Sequence, residues 1–342
     1  MTPQAAMNAL IEKKDLSSEE MTSVMNQVMS GELTPVQIAG IVIALRSKGE
    51  TVEEIAAAAR VMRELSAKVE VPEDVHLIDT CGTGGDGTHT FNISTASAIV
   101  AASAGAKVAK HGGRSVSSTC GSADVLEHLG VNVNLAPNEV AKSIMETGLG
   151  FMFAPAHHSA MKYAAPVRRE LGVRTIFNLL GPMTNPANAK NQVIGVYQKD
   201  LVAKFARVLK LLGSRHVLVV HGMDGLDEIS IGEETLVAEL KDGKILEYVL
   251  KPEDFGIERS PLESIRARDI EESKRMLQDA IDGKAGPARD IVTLNAGASI
   301  YVAGFAKSIG EGIENAKYQI SSGAAKRKLE ELVSFTNSFK AR

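Results

Sequence analysis

Four stretches of this 342-residue chain gather residue types that can do chemistry. The first is Asp79-Thr80-Cys81-Gly82-Thr83-Gly84-Gly85-Asp86-Gly87-Thr88, which runs on to Asn92-Ile93-Ser94-Thr95. A strand, a glycine-rich turn and a helix start aim backbone N–H groups and a helix dipole at phosphate. Gly82, Gly84 and Gly87 satisfy G-x-G-x-x-G, but a dinucleotide site also needs an acidic residue about twenty positions later. Lys107 to Arg114 contains none. Gly82 and Gly87 fit P-loop spacing as well, yet Thr88 and His89 stand where Lys-Ser/Thr is required. Two readings remain, a structural turn or a different phosphate cradle, and the hydroxyls around Ser94 favour the cradle.

The second stretch is Lys110-His111-Gly112-Gly113-Arg114-Ser115-Val116-Ser117-Ser118. Alone it reads equally as a solvated basic turn; beside the first loop, a polyanionic phosphate ester explains it better. The third is Asp227-Glu228, in a turn after the apolar run His216 to Val220. Magnesium takes one or two carboxylates and completes its shell with phosphate oxygens and water, so this pair suits it, although two adjacent acids are more commonly surface charge. The fourth runs from His157-His158 through Pro166-Val167-Arg168-Arg169 to Arg174 and Gly181-Pro182. The histidines read as polar residues at a helix start. The arginines read as solvated helix charges, unless one turns inward and offers its planar fork to a carboxylate.

Positioning these stretches takes an alternation of strands and helices. Strands are expected at 75–78, 107–109, 131–135, 149–153, 193–197 and 216–220. Helices are expected at 94–103, 122–129, 137–147 and 199–212. Such β-α-β alternation predicts an α/β fold with a mostly parallel central sheet flanked by helices. Both glycine-bearing loops then leave the carboxyl edge of that sheet, where ligands bind in such folds. Asp242-Gly243 between 234–240 and 244–250 predicts a late hairpin. Residues 261–288 read as a helix with a polar linker, and 296–337 as two closing helices. Ahead of the sheet, residues 1–70 read as short helices opened by capping boxes at Ser17/Glu20, Thr34/Gln37 and Thr51/Glu54. Pro35 suits the first turn of its helix; Ile38, Ile41, Val42 and Leu45 mark one face, and Gly49 the end. This segment carries no catalytic cluster.

Composition excludes more than it identifies. The chain is 44% apolar and 23% charged, ordinary for a soluble globular protein. Its formal net charge is −4 with no long basic tract, which gives nucleic acid or a membrane surface little electrostatic purchase. No apolar run reaches the length of a membrane span, and Met1 to Ala6 lack the pattern of a leader. Cys81 and Cys120 form no disulfide or zinc pattern and read as reduced thiols of a cytoplasmic protein.

Taken together, Gly82-Thr-Gly-Gly-Asp86, Asn92-Ile-Ser-Thr95, Lys110-His-Gly-Gly-Arg114, Ser117-Ser118, Pro166-Val-Arg168 and Asp227-Glu228 resemble, in order and spacing, the anthranilate phosphoribosyltransferase family. The resemblance implies the nucleoside phosphorylase/phosphoribosyltransferase type of fold. Residues 1–70 would form a small helical domain, joined by a helical segment near 165–190, and 71–342 the α/β domain that binds phosphoribosyl pyrophosphate. It implies a homodimer packed through the helical part. It also implies that Gly82, Gly85, Asp86, Thr90, Asn92, Ile93, Ser94 and Thr95 contact phosphoribosyl pyrophosphate. So would Lys110, His111, Gly112, Gly113, Arg114, Ser115, Val116, Ser117, Ser118 and Ser122. Ser94, Asp227 and Glu228 would hold magnesium, two ions per subunit. Gly82, Gly113 and Arg168 would contact anthranilate. Many members carry Asn where this chain has Gly113; a backbone contact survives that change and a side-chain amide contact does not.

The implied reaction joins the anthranilate amine to ribose C1 as pyrophosphate departs, a step of tryptophan biosynthesis. Charge develops on the leaving group, where Lys110 and Arg114 are the expected stabilisers beside magnesium and the loop amides. The neutral amine needs chiefly placement on the opposite face of the sugar, so inversion without a covalent enzyme intermediate is expected. His111 and His158 are candidates to take the amine proton. Two rivals stand: a pyrimidine nucleoside phosphorylase of the same fold, which would leave Asp227-Glu228 without clear purpose, and a non-catalytic nucleic-acid-binding relative, which the net charge disfavours.

Overall fold

A computed structural model describes residues 1–72, 75–114 and 120–339. Four helices come first: α1 (Pro3–Ile11), α2 (Ser18–Ser30), α3 (Pro35–Lys48) and α4 (Val52–Glu64). All three capping boxes form. Ser17, Thr34 and Thr51 each accept the N3 amide, while Glu20, Gln37 and Glu54 reach back to the cap. Ile38, Ile41, Val42 and Leu45 form the buried face of α3, each contributing about 1.5–3 kcal/mol of hydrophobic stabilisation. Glu54 does more than cap. Its fully buried carboxylate also accepts the Leu16 amide at 2.9 Å and pairs with Lys48 at 2.9 Å, tying α4 to the end of α3 and to the α1–α2 turn.

The sheet follows. Its elements are β1 (Leu77–Gly82), α5 (Ile93–Ser103), β2 (Lys107–Gly112), α6 (Ser122–His128), α7 (Pro137–Thr147) and β3 (Leu149–Phe153). Three short pieces come next, α8 (Ala154–His157), α9 (Ala165–Leu171) and α10 (Phe177–Leu180). Then come β4 (Asn191–Gly195), α11 (Leu201–Leu211), β5 (His216–Gly222), β6 (Thr235–Lys241) and β7 (Lys244–Leu250). The chain closes with α12 (Ile270–Ile281), α13 (Pro287–Val302), α14 (Ile309–Ser321) and α15 (Ala324–Asn337). Spatial order is β3-β2-β1-β4-β5-β6-β7, with β1 to β5 parallel and β6 and β7 antiparallel. Asp242 and Gly243 take positive φ at the hairpin tip, as a two-residue turn of this kind requires.

Side-chain alternation splits the strands between two cores. Val193, Leu218 and Val220 pack with α5 and α13 on one face; Ile194, Val217 and Val219 pack with α11 and the first four helices on the other. The consequence for function lies in the strand order. From β1 the chain moves outward to β2 and β3, then returns to place β4 and β5 on β1's other side. Loops leaving the carboxyl ends of β1 and β4 therefore diverge and open a crevice.

Several expected boundaries shift. The first strand spans 77–82 instead of 75–78, and the second continues through Lys110 and His111 to Gly112. The expected strand at 131–135 does not form. Val131, Val133 and Leu135 are buried alternately, but the backbone between them turns to α15, where Asn132 bonds Thr336 through both its amide and its side chain. The closing segment holds three helices, and the first begins at Pro287, nine residues before the expected start. Buried Thr293, Asn295 and Ser299 break its apolar periodicity; Asn295 is there to bond both the amide and the carbonyl of Ile229.

Candidate functional site

The crevice gathers the first three stretches, and Arg174 and His158 bring the fourth against them. Gly84, Gly85, Gly87 and His89 all adopt positive φ, so the loop after β1 bends in a way that glycine alone supplies cheaply. It delivers the chain to the N-terminus of α5, where Asn92 makes no side-chain cap and the Ser94 amide and hydroxyl are taken by the Glu228 carboxylate. Thr95 Oγ1, in that first turn, is buried and has no hydrogen-bond partner among the described residues. A helix start that already receives a carboxylate, with an unpartnered hydroxyl in its first turn, suits an anion.

Asp227 and Glu228 enter the same space from beyond β5. Room is made for them by two glycines at strand ends: a Cβ on Gly82 would lie 2.3 Å from Asp227 Oδ2, and one on Gly195 would strike the Asp227 backbone. Asp227 Oδ2 accepts the Gly84 amide at 2.8 Å. Burial, with Asp86 and Glu228 beside it, pushes the Asp227 carboxyl well above its ordinary range. Burial likewise lifts Glu228 to about 7, against the opposing charge of Lys110 and hydrogen bonds from Ser94. Ser94, Asp227 and Glu228 are thus brought together. Among the described residues no group of three or more His, Cys, Asp or Glu side chains is arranged to hold a metal by itself.

Lys110 is buried and donates to the Thr80 carbonyl and, at 3.2 Å, to Ser94 Oγ, so its charge sits inside the crevice. Arg114 stands differently. Its exposed guanidinium is held on α6 by Asp124 at 2.7 Å and Glu127 at 2.6 Å, and lies over the Phe153 ring. Ser122 Oγ donates to the Gly113 carbonyl at 3.4 Å. Asn92 is engaged with Ser273 and the Cys120 carbonyl, which fixes the loop exit. Thr90 forms an isolated bridge to Arg266. Ser115, Val116, Ser117 and Ser118 lie outside the described residues.

The fourth stretch splits one expectation. Both histidines are buried; His158 stands at the start of the 3-10 turn Ser159–Lys162 as expected, whereas His157 ends α8 with Nδ1 on the Ala67 carbonyl at 2.8 Å. His158 stands edge-on to His111, ring centroids 5.1 Å apart. Burial, with His158 beside it, pulls His111 down to about 3, and burial with the neighbouring His157 pulls His158 down to about 4. Both imidazoles are therefore neutral at physiological pH. Arg168 is half-buried on α9 with its guanidinium 5.6 Å from the Phe177 ring centre, while Arg169 is exposed.

The same architecture recurs in known proteins. Residues 4–66 match the family described as "Glycosyl transferase family, helical bundle domain", and residues 74–326 match "Glycosyl transferase family, a/b domain". The anthranilate phosphoribosyltransferase of Nitrosospira multiformis is 60% identical over 98% of this chain and 97% of its own. The chain belongs to the anthranilate phosphoribosyltransferase family. It is accordingly a pentosyl-transferring enzyme, and solved members share its fold. The crystal structure of the Thermus thermophilus anthranilate phosphoribosyltransferase superposes with a TM-score of 0.91 at 44% identity, covering 97% of this chain and 99% of that one. The Saccharomyces cerevisiae enzyme, solved in complex with PRPP (phosphoribosyl pyrophosphate) and Mg, superposes at 0.89 with 29% identity over 98% of both chains.

Three residues around the crevice received no role of their own from the sequence. Asp79, fully buried on β1, accepts the His111 amide and an amide hydrogen of Asn185 at 2.7 Å, so one carboxyl braces β1, β2 and the 181–188 turn. Arg174 donates to the Gly85 carbonyl and stacks on Tyr197. Gly195 gave no signal because it belongs to no glycine-rich run; only its closeness to Asp227 reveals it.

Proposed function

We propose the following division of labour for the family's reaction. The enzyme transfers the phosphoribosyl group of phosphoribosyl pyrophosphate to the amine of anthranilate, giving N-(5-phosphoribosyl)anthranilate and pyrophosphate, in tryptophan biosynthesis. The observation that carries the assignment is the crevice at the reversal of strand order. There the glycine loop, the start of α5, Lys110 and a buried acidic pair converge.

Gly82, Gly85, Asp86 and the Asn92–Thr95 turn cradle the phosphoribosyl pyrophosphate, with Lys110 countering the charge of the departing pyrophosphate. Asp227, Glu228 and Ser94 fit magnesium. Their carboxyls are crowded enough to resist ionisation, and a divalent cation removes that penalty. When bound, two magnesium ions per subunit neutralise charge on pyrophosphate; the Saccharomyces cerevisiae relative is solved with Mg. Arg114 reaches the substrate only by exchanging its α6 carboxylates for phosphate. Arg168 holds the anthranilate carboxylate, so that the amine faces C1 from the side opposite the leaving group. Inversion follows without a covalent intermediate. Neutral His111 and His158 are acceptors for the amine proton.

The helical domain comprises residues 1–70, with 165–190 as its link, and the α/β domain residues 71–342. Two copies pair through the helical domain, where Ile11, Val36 and Ile43 are exposed on α1 and α3. No described helix is long and apolar enough to cross a membrane, in keeping with a cytoplasmic enzyme. The deciding experiment mixes protein, magnesium, phosphoribosyl pyrophosphate and anthranilate and follows loss of anthranilate fluorescence. Steady loss that requires all three supports the reading. Absent turnover, together with phosphorolysis of thymidine, overturns it in favour of a nucleoside phosphorylase.

A further inference from the structure

Three consecutive loop residues are held by three different anchors. Thr83 continues the ladder, its amide on the Gly195 carbonyl at 2.9 Å and its hydroxyl oxygen accepting the Tyr197 amide at 3.1 Å. Gly84 donates to Asp227. Gly85 has its carbonyl on the guanidinium of Arg174, which itself lies over the Tyr197 ring, 3.9 Å from the centroid. We propose that Arg174 and Tyr197 are a positioning pair that sets the glycine loop for phosphate; this rests on the loop assignment above.

The reasoning starts from the backbone. Gly84, Gly85 and Gly87 give the loop more conformational freedom than any other residues would, and a ligand that needs one arrangement must meet the cost of ordering it. In a trans peptide the carbonyl of one residue and the N–H of the next point to opposite sides. Holding the Gly85 carbonyl on Arg174 therefore turns the Asp86 N–H away from the arginine and fixes the plane of the peptide between them. A guanidinium is planar, and stacked on a ring whose residue is 9% exposed it keeps one orientation. Tyr197 thus serves twice, through its amide on Thr83 and its ring under Arg174. Neither side chain contributes to the bonds made or broken in the reaction, so their effect belongs to binding of phosphoribosyl pyrophosphate.

The test is calorimetry of phosphoribosyl pyrophosphate with magnesium on the full-length protein, paired with steady-state kinetics. Arg174→Ala is expected to weaken binding about tenfold, the lower end for a charge-assisted hydrogen bond because this one is exposed. Turnover at saturation and KM for anthranilate should move far less. Tyr197→Leu should show part of the same loss and Tyr197→Phe none, since the ring face carries the contact. The double variant Arg174→Ala/Tyr197→Leu should be little worse than Arg174→Ala alone. Wild-type affinity in Arg174→Ala, alongside lost affinity in Gly85→Val, overturns the positioning pair alone. Wild-type affinity in both overturns the loop assignment with it. A loss in Arg174→Ala with none in a folded Tyr197→Leu makes Arg174 a direct phosphate ligand and also overturns the pair.

Discussion

Arg168 and Arg169 are chain neighbours with opposite surroundings. Arg168 is half-buried over Phe177, its pKa drawn down by burial, and among the described residues it has no carboxylate partner; Arg169 is exposed. A buried cation without a counter-ion suits an anionic ligand. Arg168→Ala should raise KM for anthranilate by about tenfold to a hundredfold, the cost of a charge-assisted hydrogen bond. Arg169→Ala should change it only a few-fold at most. Kinetics with each substrate varied in turn decide this, and a defect confined to Arg169→Ala would sink the carboxylate clamp. Gly113 offers a second test at this scale. Its φ is not left-handed, and a Cβ there would meet only Ala154, at 3.9 Å. Gly113→Asn should fold normally and lower KM for anthranilate by about threefold to tenfold if the amide adds one hydrogen bond. An unchanged KM assigns the contact to the backbone. Residue types raised Arg168 and the acidic pair only as open alternatives, and the family resemblance singled them out. Arg174 and Asp79 lie in the stretches singled out, but nothing there revealed their roles, which depend on partners 89 and 106 positions away.

At the scale of elements, legibility followed whether a signal was local. Capping boxes and the Asp242-Gly243 hairpin are written within four residues of chain, and all formed as read. The segment at 131–135 carries a strand's alternation, but only tertiary packing decides whether a neighbouring strand or a helix receives its backbone groups. The same distinction governs the glycine loop. Its composition announced a turn, while φ values near +63° to +76° at Gly84, Gly85 and Gly87 show why larger residues cannot replace them freely. Gly85→Val places a β-branched side chain where L-residues are strongly disfavoured, which should reshape the loop without unfolding the sheet beneath. Calorimetry should find binding of phosphoribosyl pyrophosphate lost while circular dichroism stays native. Retained affinity in the folded variant would reduce the loop to a connector.

Two properties belong to the whole molecule. Val36 and Ile43 lie two turns apart on α3, opposite its buried face, and are 81% and 39% exposed; Ile11 on α1 is 71% exposed. An apolar face of this kind on the helical part fits a two-fold contact between copies. Val36→Glu with Ile43→Glu should give a folded monomer by light scattering, and an unaltered dimer would place the contact elsewhere. Stability against acid is the second. His111 and His158 are buried against each other, and burial holds them neutral down to about 3 and about 4. In the unfolded chain a histidine titrates near its ordinary value of about 6.5. The unfolded state therefore takes up protons first as pH falls. The stability these histidines contribute is fully present above about pH 6.5 and declines below it, by up to about 1.4 kcal/mol per pH unit for each. Melting temperature should consequently drop by several degrees between pH 6.5 and pH 5. His158→Gln, whatever it does to stability at pH 8, should flatten that slope, because one buried imidazole no longer resists protonation. The neutral form that folding enforces is also the form able to accept a proton from the incoming amine. An unchanged slope in His158→Gln would show that surface carboxylates govern acid unfolding and that this pair is not held neutral by burial.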